Sequence, residues 1–204
     1  MGMRVYVRLT LAAFFVCATY SAFAQTVPTA TEGNSPWAIG AGISGYNTDY
    51  ESGRLFGGTL WIDYRLTKVP SLLQGLAIEG EARDLNYLRS ATEESNLRQD
   101  TAGGGLIYSW RHFAKLRPYA KAFAGYGNTD EGWKDGWRNH DSRNFLAVGG
   151  GVEYRIMRHI WARADYEYQS WPDMFFNGNL PSGRMNPQGV TVGAMYHFSR
   201  PRHH

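Results

Sequence analysis

Acidic and basic side chains alternate with apolar ones along much of this sequence, and they are the residues best equipped for chemistry. Glu79 and Glu81 stand two residues apart, a spacing that suits a general acid and a general base. Bases recur in the same phase, so the acids also fit a nearly neutral network of salt bridges. The set is Asp63, Arg65, Glu79, Glu81, Arg83, Arg111, Lys121, Glu153, Arg163, Asp165 and Glu167. Six acids against five bases favour the network, and no catalytic pair is predicted.

The segment IWARADYEYQSW, residues 160–171, indicates what must position these charges. Arg163, Asp165 and Glu167 share one phase, and mostly apolar residues fill the other. A period of two predicts a β-strand with two unlike faces. Eight segments have this pattern: 36–47, 55–67, 76–89, 101–113, 118–128, 144–155, 160–171 and 188–198. The sequence therefore predicts an all-β fold, which its 24 glycines and 13 tyrosines also favour.

The connections between these segments alternate in length. The longest ones, NTDEGWKDGWRNHDSR and PDMFFNGNLPSGRMNP, follow the fifth and seventh segments, whereas AKLR and MRH follow the fourth and sixth. If consecutive strands are antiparallel, the long loops lie at one end of the molecule and the short turns at the other. This asymmetry is typical of outer-membrane barrels. We therefore expect an eight-stranded antiparallel up-and-down transmembrane β-barrel.

Alternation alone leaves open which face meets water. A soluble, lipocalin-like carrier would turn the charged phase outward, whereas a membrane barrel turns it inward and shows the apolar phase to lipid. Aromatic residues near the segment ends favour the membrane, because such rings suit the boundary between water and lipid. Those in the apolar phase are Trp37, Tyr64, Trp110, Tyr126, Tyr154 and Tyr168. A smaller set departs from this expectation by lying in the charged phase: Trp61, Phe123, Phe145 and Trp161.

The first residues predict export. Two arginines precede the apolar stretch LTLAAFFVCA, and small residues frame a cleavage site after Ala24. Residues 1–24 are therefore predicted to be a removed signal peptide, and residues 25–35 a flexible leader. Cleavage removes the single cysteine, Cys17, so the mature chain has no thiolate for catalysis or metal binding. It also lowers the formal net charge from +3 to +1, which argues against a nucleic-acid partner.

The last alternating segment, VTVGAMYHF, places two aromatic side chains, Tyr196 and Phe198, at the end of one phase. It resembles the carboxy-terminal signal by which the assembly machinery recognises bacterial outer-membrane barrels. Together with RPYAKAFAGYG and FLAVGGGVEYRI, it makes residues 36–198 similar to the eight-stranded family that includes OmpA, OmpX and the opacity proteins. The resemblance implies an integral outer-membrane barrel, with lipid, lipopolysaccharide and the assembly machinery as partners. Residues 199–204, SRPRHH, extend beyond the signal, and we expect them to form a periplasmic tail.

The resemblance implies an architecture more than an activity. The predicted role is structural maintenance of the outer membrane, with surface contacts made by the loops. One alternative is a small gated pore, in which a pair such as Glu79 and Lys121 exchanges partners. Another is a lipid A-modifying enzyme, and a third is the soluble carrier. Barrel deacylases carry His-x-Ser-Asn, whereas Arg200 follows His197 and Ser199 here, so no enzyme is predicted.

Two of the long loops carry candidate contact residues. They are Trp133, Lys134, Trp137 and Arg138 after the fifth segment, and Phe175 and Phe176 after the seventh. The first group interleaves rings with cations and suits the sugars and phosphates of lipopolysaccharide, with a strand extension as the alternative interpretation. The second group suits a protein partner or a cap over the barrel mouth. No metal or cofactor is predicted, since the acidic residues around the first loop match no known cation-binding pattern.

Overall fold

The computed structural model describes residues 35–48, 54–87, 95–111, 114–133, 138–174 and 183–198. The predicted signal peptide, nearly all of the predicted leader and the predicted tail lie outside these residues. The strands are β1 (Trp37–Asn47), β2 (Arg54–Arg65), β3 (Leu76–Tyr87), β4 (Ser95–Ser109), β5 (Leu116–Trp133), β6 (Arg138–Arg155), β7 (Ile160–Met174), β8 (Gly183–Met185) and β9 (Gln188–His197). A short 3-10 helix, Ser71–Leu73, lies between β2 and β3. Among the described residues, no helix has the length and apolar character needed to cross a membrane.

The eight long strands close into a barrel. Each pairs antiparallel with its neighbours in sequence from β1 to β7, and β7 then pairs with β9. The first and last strands close the ring, with a ladder that runs from Ala38 opposite His197 to Asn47 opposite Gln188. The three-residue β8 pairs with β7 alone. The predicted eight-stranded antiparallel up-and-down barrel is confirmed, and closure leaves no long strand with an unpaired edge.

We call the end with the connections 66–75, 110–115 and 156–159 the turn end, and the opposite end the loop end. At the loop end, β5 and β6 are each 18 residues long, and they stay paired as far as Gly132 opposite Arg138. The prediction of a long loop over residues 128–143 is therefore wrong, and the alternative of a strand extension is correct. Beyond the membrane both faces of a hairpin are wet, so polar residues continue the strand without an apolar period.

The distribution of apolar and charged side chains over the two faces of the barrel is the reverse of that in a soluble protein. Large apolar side chains point outward and are exposed, among them Ile43 (58%), Leu60 (62%) and Leu146 (65%). Charged side chains point inward and are buried, with Glu79 fully inaccessible and Arg163 only 1% exposed. A soluble carrier needs a polar exterior, so this arrangement contradicts that alternative. The predicted aromatic girdle faces outward at both ends of the apolar surface, with exposed Trp37, Trp110, Tyr126, Tyr154 and Tyr168.

The aromatic residues in the charged phase close the interior at its two ends. Trp61 and Trp161 pack with Ala38 and Met195 at the turn end. Phe123, Phe145 and Ala147 pack with Trp171 and Met185 at the loop end. The aromatic residues in the charged phase therefore have a physical explanation. They form apolar caps at both ends of the interior, and these caps shield the charges between them from water.

Two glycines make room for the largest of these rings. A Cβ atom at Gly40 would overlap the indole of Trp61, and one at Gly127 would overlap the indole of Trp171. Both glycines are on the inward face of their strands, where the two rings lie across the barrel. Any larger residue at these positions would displace the caps.

Candidate functional site in the barrel interior

Seven charged side chains fill the middle of the barrel and form what we call the interior network: Glu79, Glu81, Arg83, Lys121, Arg163, Asp165 and Glu167. They come from three strands, β3, β5 and β7, and Thr59 of β2 adds a hydroxyl that accepts a hydrogen bond from Arg83. Inward positions recur every second residue, so β3 and β7 contribute three members each, and β5 contributes Lys121. The network is thus built by register across the barrel rather than by neighbouring residues alone.

Arg163 and Glu79 form the strongest pair in the network. Both guanidinium nitrogens donate to the carboxylate, Nη1 to Oε2 at 2.5 Å and Nη2 to Oε1 at 2.9 Å. The remaining Nε donates to the hydroxyl of Tyr119 at 2.8 Å and to Asp165 at 3.2 Å. A bidentate pair of this kind fixes orientation as well as charge. Both carboxylate oxygens of Glu79 are therefore held by Arg163. This arrangement does not suit the general acid or base role that its spacing from Glu81 would allow.

Lys121 is the hub of the second half of the network. Its Nζ lies 2.7 Å from Glu167, 3.1 Å from Glu81 and 3.3 Å from Asp165. Arg83 completes this half by pairing with Glu81 and, at 3.1 Å, with Glu167. The exchange partner proposed for Lys121 from sequence, Glu79, is not among these contacts. That pairing is therefore wrong, because the register of β3 places Glu81 nearer to Lys121.

Aromatic rings and hydroxyl groups complete the hydrogen bonding around the charges. Tyr46 donates to Glu167 at 3.1 Å, and its ring lies under the guanidinium of Arg83, 4.4 Å from the ring centre. Tyr119 donates to Asp165 at 2.8 Å. Each such bond lowers the cost of burying a charge away from water. A row of hydroxyls, Ser44 with Thr59 and Thr191, spans the strands β1, β2 and β9 beside the network.

Sequence reasoning missed several inward residues. Arg117 is 4% exposed and stacks on Trp161, with its guanidinium 4.0 Å from the ring centre. It was omitted because the fifth strand was predicted to begin at residue 118, although the inward phase of Lys121 extends back to it. Gln99 and Gln169 are also buried and inward. Arg117 therefore joins Arg83, Lys121 and Arg163 among the buried inward cations.

Not every predicted interior charge belongs to the interior network. Asp63 and Glu153 are buried towards the turn end. Arg65 is half-buried there, and Arg111 is exposed beyond the last residue of β4. Arg111 is therefore a rim residue, and its assignment to the interior is wrong because the fourth strand ends at Ser109 rather than at 113.

The turn end holds a cavity of about 30 Å³ between the rim and the interior network. Asp63, Arg65, Arg117, Glu153 and His197 are among its lining residues. This volume has room for a water molecule or two and is far below that of a site for an organic ligand. In the described ranges, no group of three or more His, Cys, Asp or Glu residues is arranged to hold a metal ion.

The remaining candidate residues lie outside the interior network. Tyr196 and Phe198 are exposed at the turn end, and their rings meet edge to face at 5.3 Å. Trp133 and Arg138 end β5 and β6 at the tip of the long hairpin. The other loop candidates, Lys134, Trp137, Phe175 and Phe176, lie outside the described residues, as does Ser199.

Comparison with known proteins gives one family and several solved structures. The family model described as "Outer membrane protein beta-barrel domain" matches residues 10–198. A comparison with curated proteins finds no match. The crystal structure of neisserial surface protein A (NspA) is similar with a TM-score of 0.64 at 14% identity, covering 80% of this chain and 98% of that one.

Two further structures have the same architecture. Ail, the attachment invasion locus protein of Yersinia pestis, matches with a TM-score of 0.51 at 15% identity, covering 79% of this chain and 99% of that one. OprG from Pseudomonas aeruginosa matches with a TM-score of 0.52 at 13% identity, covering 83% and 99%. At these identities the likeness concerns the fold alone.

Proposed function

This chain belongs to the outer membrane protein beta-barrel domain family, and from that premise we propose that it is a closed, non-conducting barrel that maintains the outer membrane. It is an integral protein of the bacterial outer membrane. In this proposal residues 1–24 direct export, the turn end faces the periplasm and the loop end faces the surroundings. The tail at 199–204 is then periplasmic, and Tyr196 and Phe198 serve recognition by the assembly machinery.

The filled interior is the observation that supports a non-conducting barrel. The side chain of Lys121 is fully inaccessible, that of Arg163 is 1% exposed, and apolar caps lie beyond them at both ends. A conducting path would require Arg163 to leave Glu79 or Lys121 to leave Glu167. An uncompensated buried charge costs about 3–5 kcal/mol, so such openings are rare. An eight-stranded barrel also has little space to spare around its inward side chains.

Planar-bilayer recording of the purified, refolded full chain tests the proposal. We expect no stepwise conductance at either polarity. A variant that removes two acids and two bases together, Glu79→Ala, Arg163→Ala, Lys121→Ala and Glu167→Ala, leaves the net charge of the interior unchanged and empties its middle. It provides the positive control, with folding verified by heat-modifiable migration on gels. Stepwise currents from the wild-type barrel would favour the gated pore instead.

Surface contact is the second part of the proposed function. The hairpin of β5 and β6 continues beyond the outward apolar surface, which ends at Tyr126, for six residues to Gly132, roughly 20 Å of strand. Its tip carries Trp133 and Arg138, which suit lipopolysaccharide sugars and phosphates. For comparison, a second structure of Ail, 15% identical to this chain, is a complex with the heparin analogue sucrose octasulfate.

A further inference from the structure

A second cluster of chemically capable side chains lies on the outside of the barrel, on the outward face of β5 and β6. Asp130 stands directly opposite His140 in the ladder, and Asn128 stands opposite Ser142. His140 and Ser142 point the same way because they are two residues apart on one strand. An acid, an imidazole and a hydroxyl therefore meet on one surface.

The hydrogen bonds place these groups in a specific order. Asp130 Oδ1 is bonded to His140 Nδ1, and Ser142 Oγ lies 3.2 Å from His140 Nε2. The carboxylate on Nδ1 holds the tautomer whose Nε2 is free to accept a proton. The single hydroxyl proton of Ser142 goes to Asn128 Oδ1 at 2.6 Å in this arrangement, and rotation about the Cβ–Oγ bond redirects it to His140 Nε2. Acid, base and nucleophile are thus connected as in a serine hydrolase.

The cluster sits just beyond the outward apolar surface. Tyr126 and Leu146, 53% and 65% exposed, are the last outward aromatic and aliphatic side chains of β5 and β6 towards the loop end. Ser142 follows four residues beyond Leu146, about 13 Å along the strand, and two residues beyond the level of Tyr126. Aromatic rings of this kind mark the boundary of the hydrocarbon. The hydroxyl therefore faces sideways at the level where the acyl chains of a lipid join its headgroup.

We propose that Ser142, His140 and Asp130 form a serine esterase site that cleaves acyl ester bonds of lipids in the outer leaflet. This activity goes beyond the proposed structural role and is independent of whether the barrel conducts ions. The side chains of His140 and Asp130 are 61% and 53% exposed. A lipid beside the barrel reaches them without any opening of the fold.

The reaction follows from the positions of these atoms. Ser142 Oγ attacks the ester carbonyl carbon while His140 Nε2 takes the hydroxyl proton, and Asp130 stabilises the resulting imidazolium. Collapse of the tetrahedral intermediate breaks the bond to the alcohol oxygen, which leaves with the proton from His140. Water, deprotonated by His140, then hydrolyses the acyl-serine and releases a fatty acid. The Asn128 amide lies within hydrogen-bonding distance of Ser142 Oγ, so its Nδ2 is the group that we assign to the developing oxyanion.

The signal for this site is present in the sequence. His140, Asp141 and Ser142 have the same His-x-Ser spacing as His197, Phe198 and Ser199. The third member, Asp130, lies ten residues away and is brought to His140 by the strand extension. Because that segment was predicted to be a loop, no pattern in the sequence paired the acid with the base.

The test uses the refolded full chain in mixed micelles, with two ester substrates in separate arms. One arm contains diacyl phosphatidylethanolamine and the other lipid A, and mass spectrometry follows the release of fatty acid. We expect hydrolysis in at least one arm, and Ser142→Ala to lower kcat by at least about 100-fold. Ser170→Ala is the matched control, since Ser170 also lies on an outward strand face but takes no part in the cluster, so this variant should leave the rate unchanged.

Two further readouts separate a catalytic role from a structural one. Asp130→Asn should lower kcat more than it alters KM, because the carboxylate acts on the imidazole and does not contact the lipid. A fluorophosphonate probe should label the wild type and spare Ser142→Ala. All variants should keep heat-modifiable migration, because the substitutions are on the surface. A wild-type rate equal to that of Ser142→Ala in both arms would overturn the proposal, as would equal labelling of the two proteins.

Discussion

Arg163 illustrates how single residues act in this barrel. Its guanidinium bonds Glu79, Tyr119 and Asp165 and has almost no contact with solvent. Lipid surrounds the wall and apolar caps close the ends, so little water is available to replace a lost partner. The alternating phase predicts that Arg163 points inward. Its choice of Glu79 depends on contact between β7 and β3 across the barrel, which no local pattern encodes.

Replacing Arg163 by alanine leaves Glu79 as an uncompensated buried charge, so we expect the free energy of unfolding to fall by about 3–5 kcal/mol. Replacing both residues by methionine should cost less, because no lone charge remains. Urea unfolding in lipid vesicles, followed by tryptophan fluorescence, measures both effects. Arg98→Ala is the control, since the ion pairs of Arg98 with Asp84 and Asp100 are exposed and weak. A double variant less stable than Arg163→Ala would contradict this account.

At the scale of the element, the β5–β6 hairpin is the most informative. Each strand has 18 residues, although 9–11 suffice to cross a bilayer as a tilted β-strand. The excess length carries the tip, including Trp133 and Arg138, well away from the apolar surface on a hydrogen-bonded ladder. The apolar period stops near residue 128 because both faces of the extension meet water. Backbone pairing needs no such period, so the strand continues where the pattern ends.

The tip of this hairpin should contribute to lipopolysaccharide binding. We expect replacement of residues 133–138 by a Gly-Ser segment of equal length to weaken binding about 10-fold, a loss of about 1.4 kcal/mol. Isothermal titration with lipopolysaccharide micelles measures the affinity, and phosphatidylglycerol micelles report on charge attraction alone. Trp133→Ser with Trp137→Ser should account for part of the loss and Lys134→Gln with Arg138→Gln for the rest. Unchanged affinity in the replaced variant would show that the hairpin has another use.

At the scale of the whole molecule, inverted burial and closure depend on each other. The outward apolar positions of β6 run from Leu146 to Tyr154, which for a tilted strand is roughly 20 Å along the barrel axis. A surface of this kind is stable only in lipid. Backbone groups inside lipid have no water to bond, so the ladder must close between β1 and β9.

Site-directed spin labels should distinguish the two surroundings of the wall. The chain after residue 24 has no cysteine, so Val148→Cys and Leu60→Cys each carry a single label on the outward apolar surface. We expect both labels to be accessible to oxygen and protected from a water-soluble nickel chelate. A label at Lys68→Cys, at the turn end, should show the opposite preference. Nickel access at Val148 and Leu60 in the vesicle-bound protein would contradict the inverted arrangement.

The sequence by itself determined the architecture, because a period of two separates faces and loop lengths separate ends. It placed Glu79, Glu81, Arg163 and Glu167 on one face, since the phase of a strand is a local property. Tertiary structure alone decided the partners, such as Glu79 with Arg163, and brought Asp130 to His140. Partner choice depends on the register between strands and on closure of the ring, and both arise only when distant segments pair.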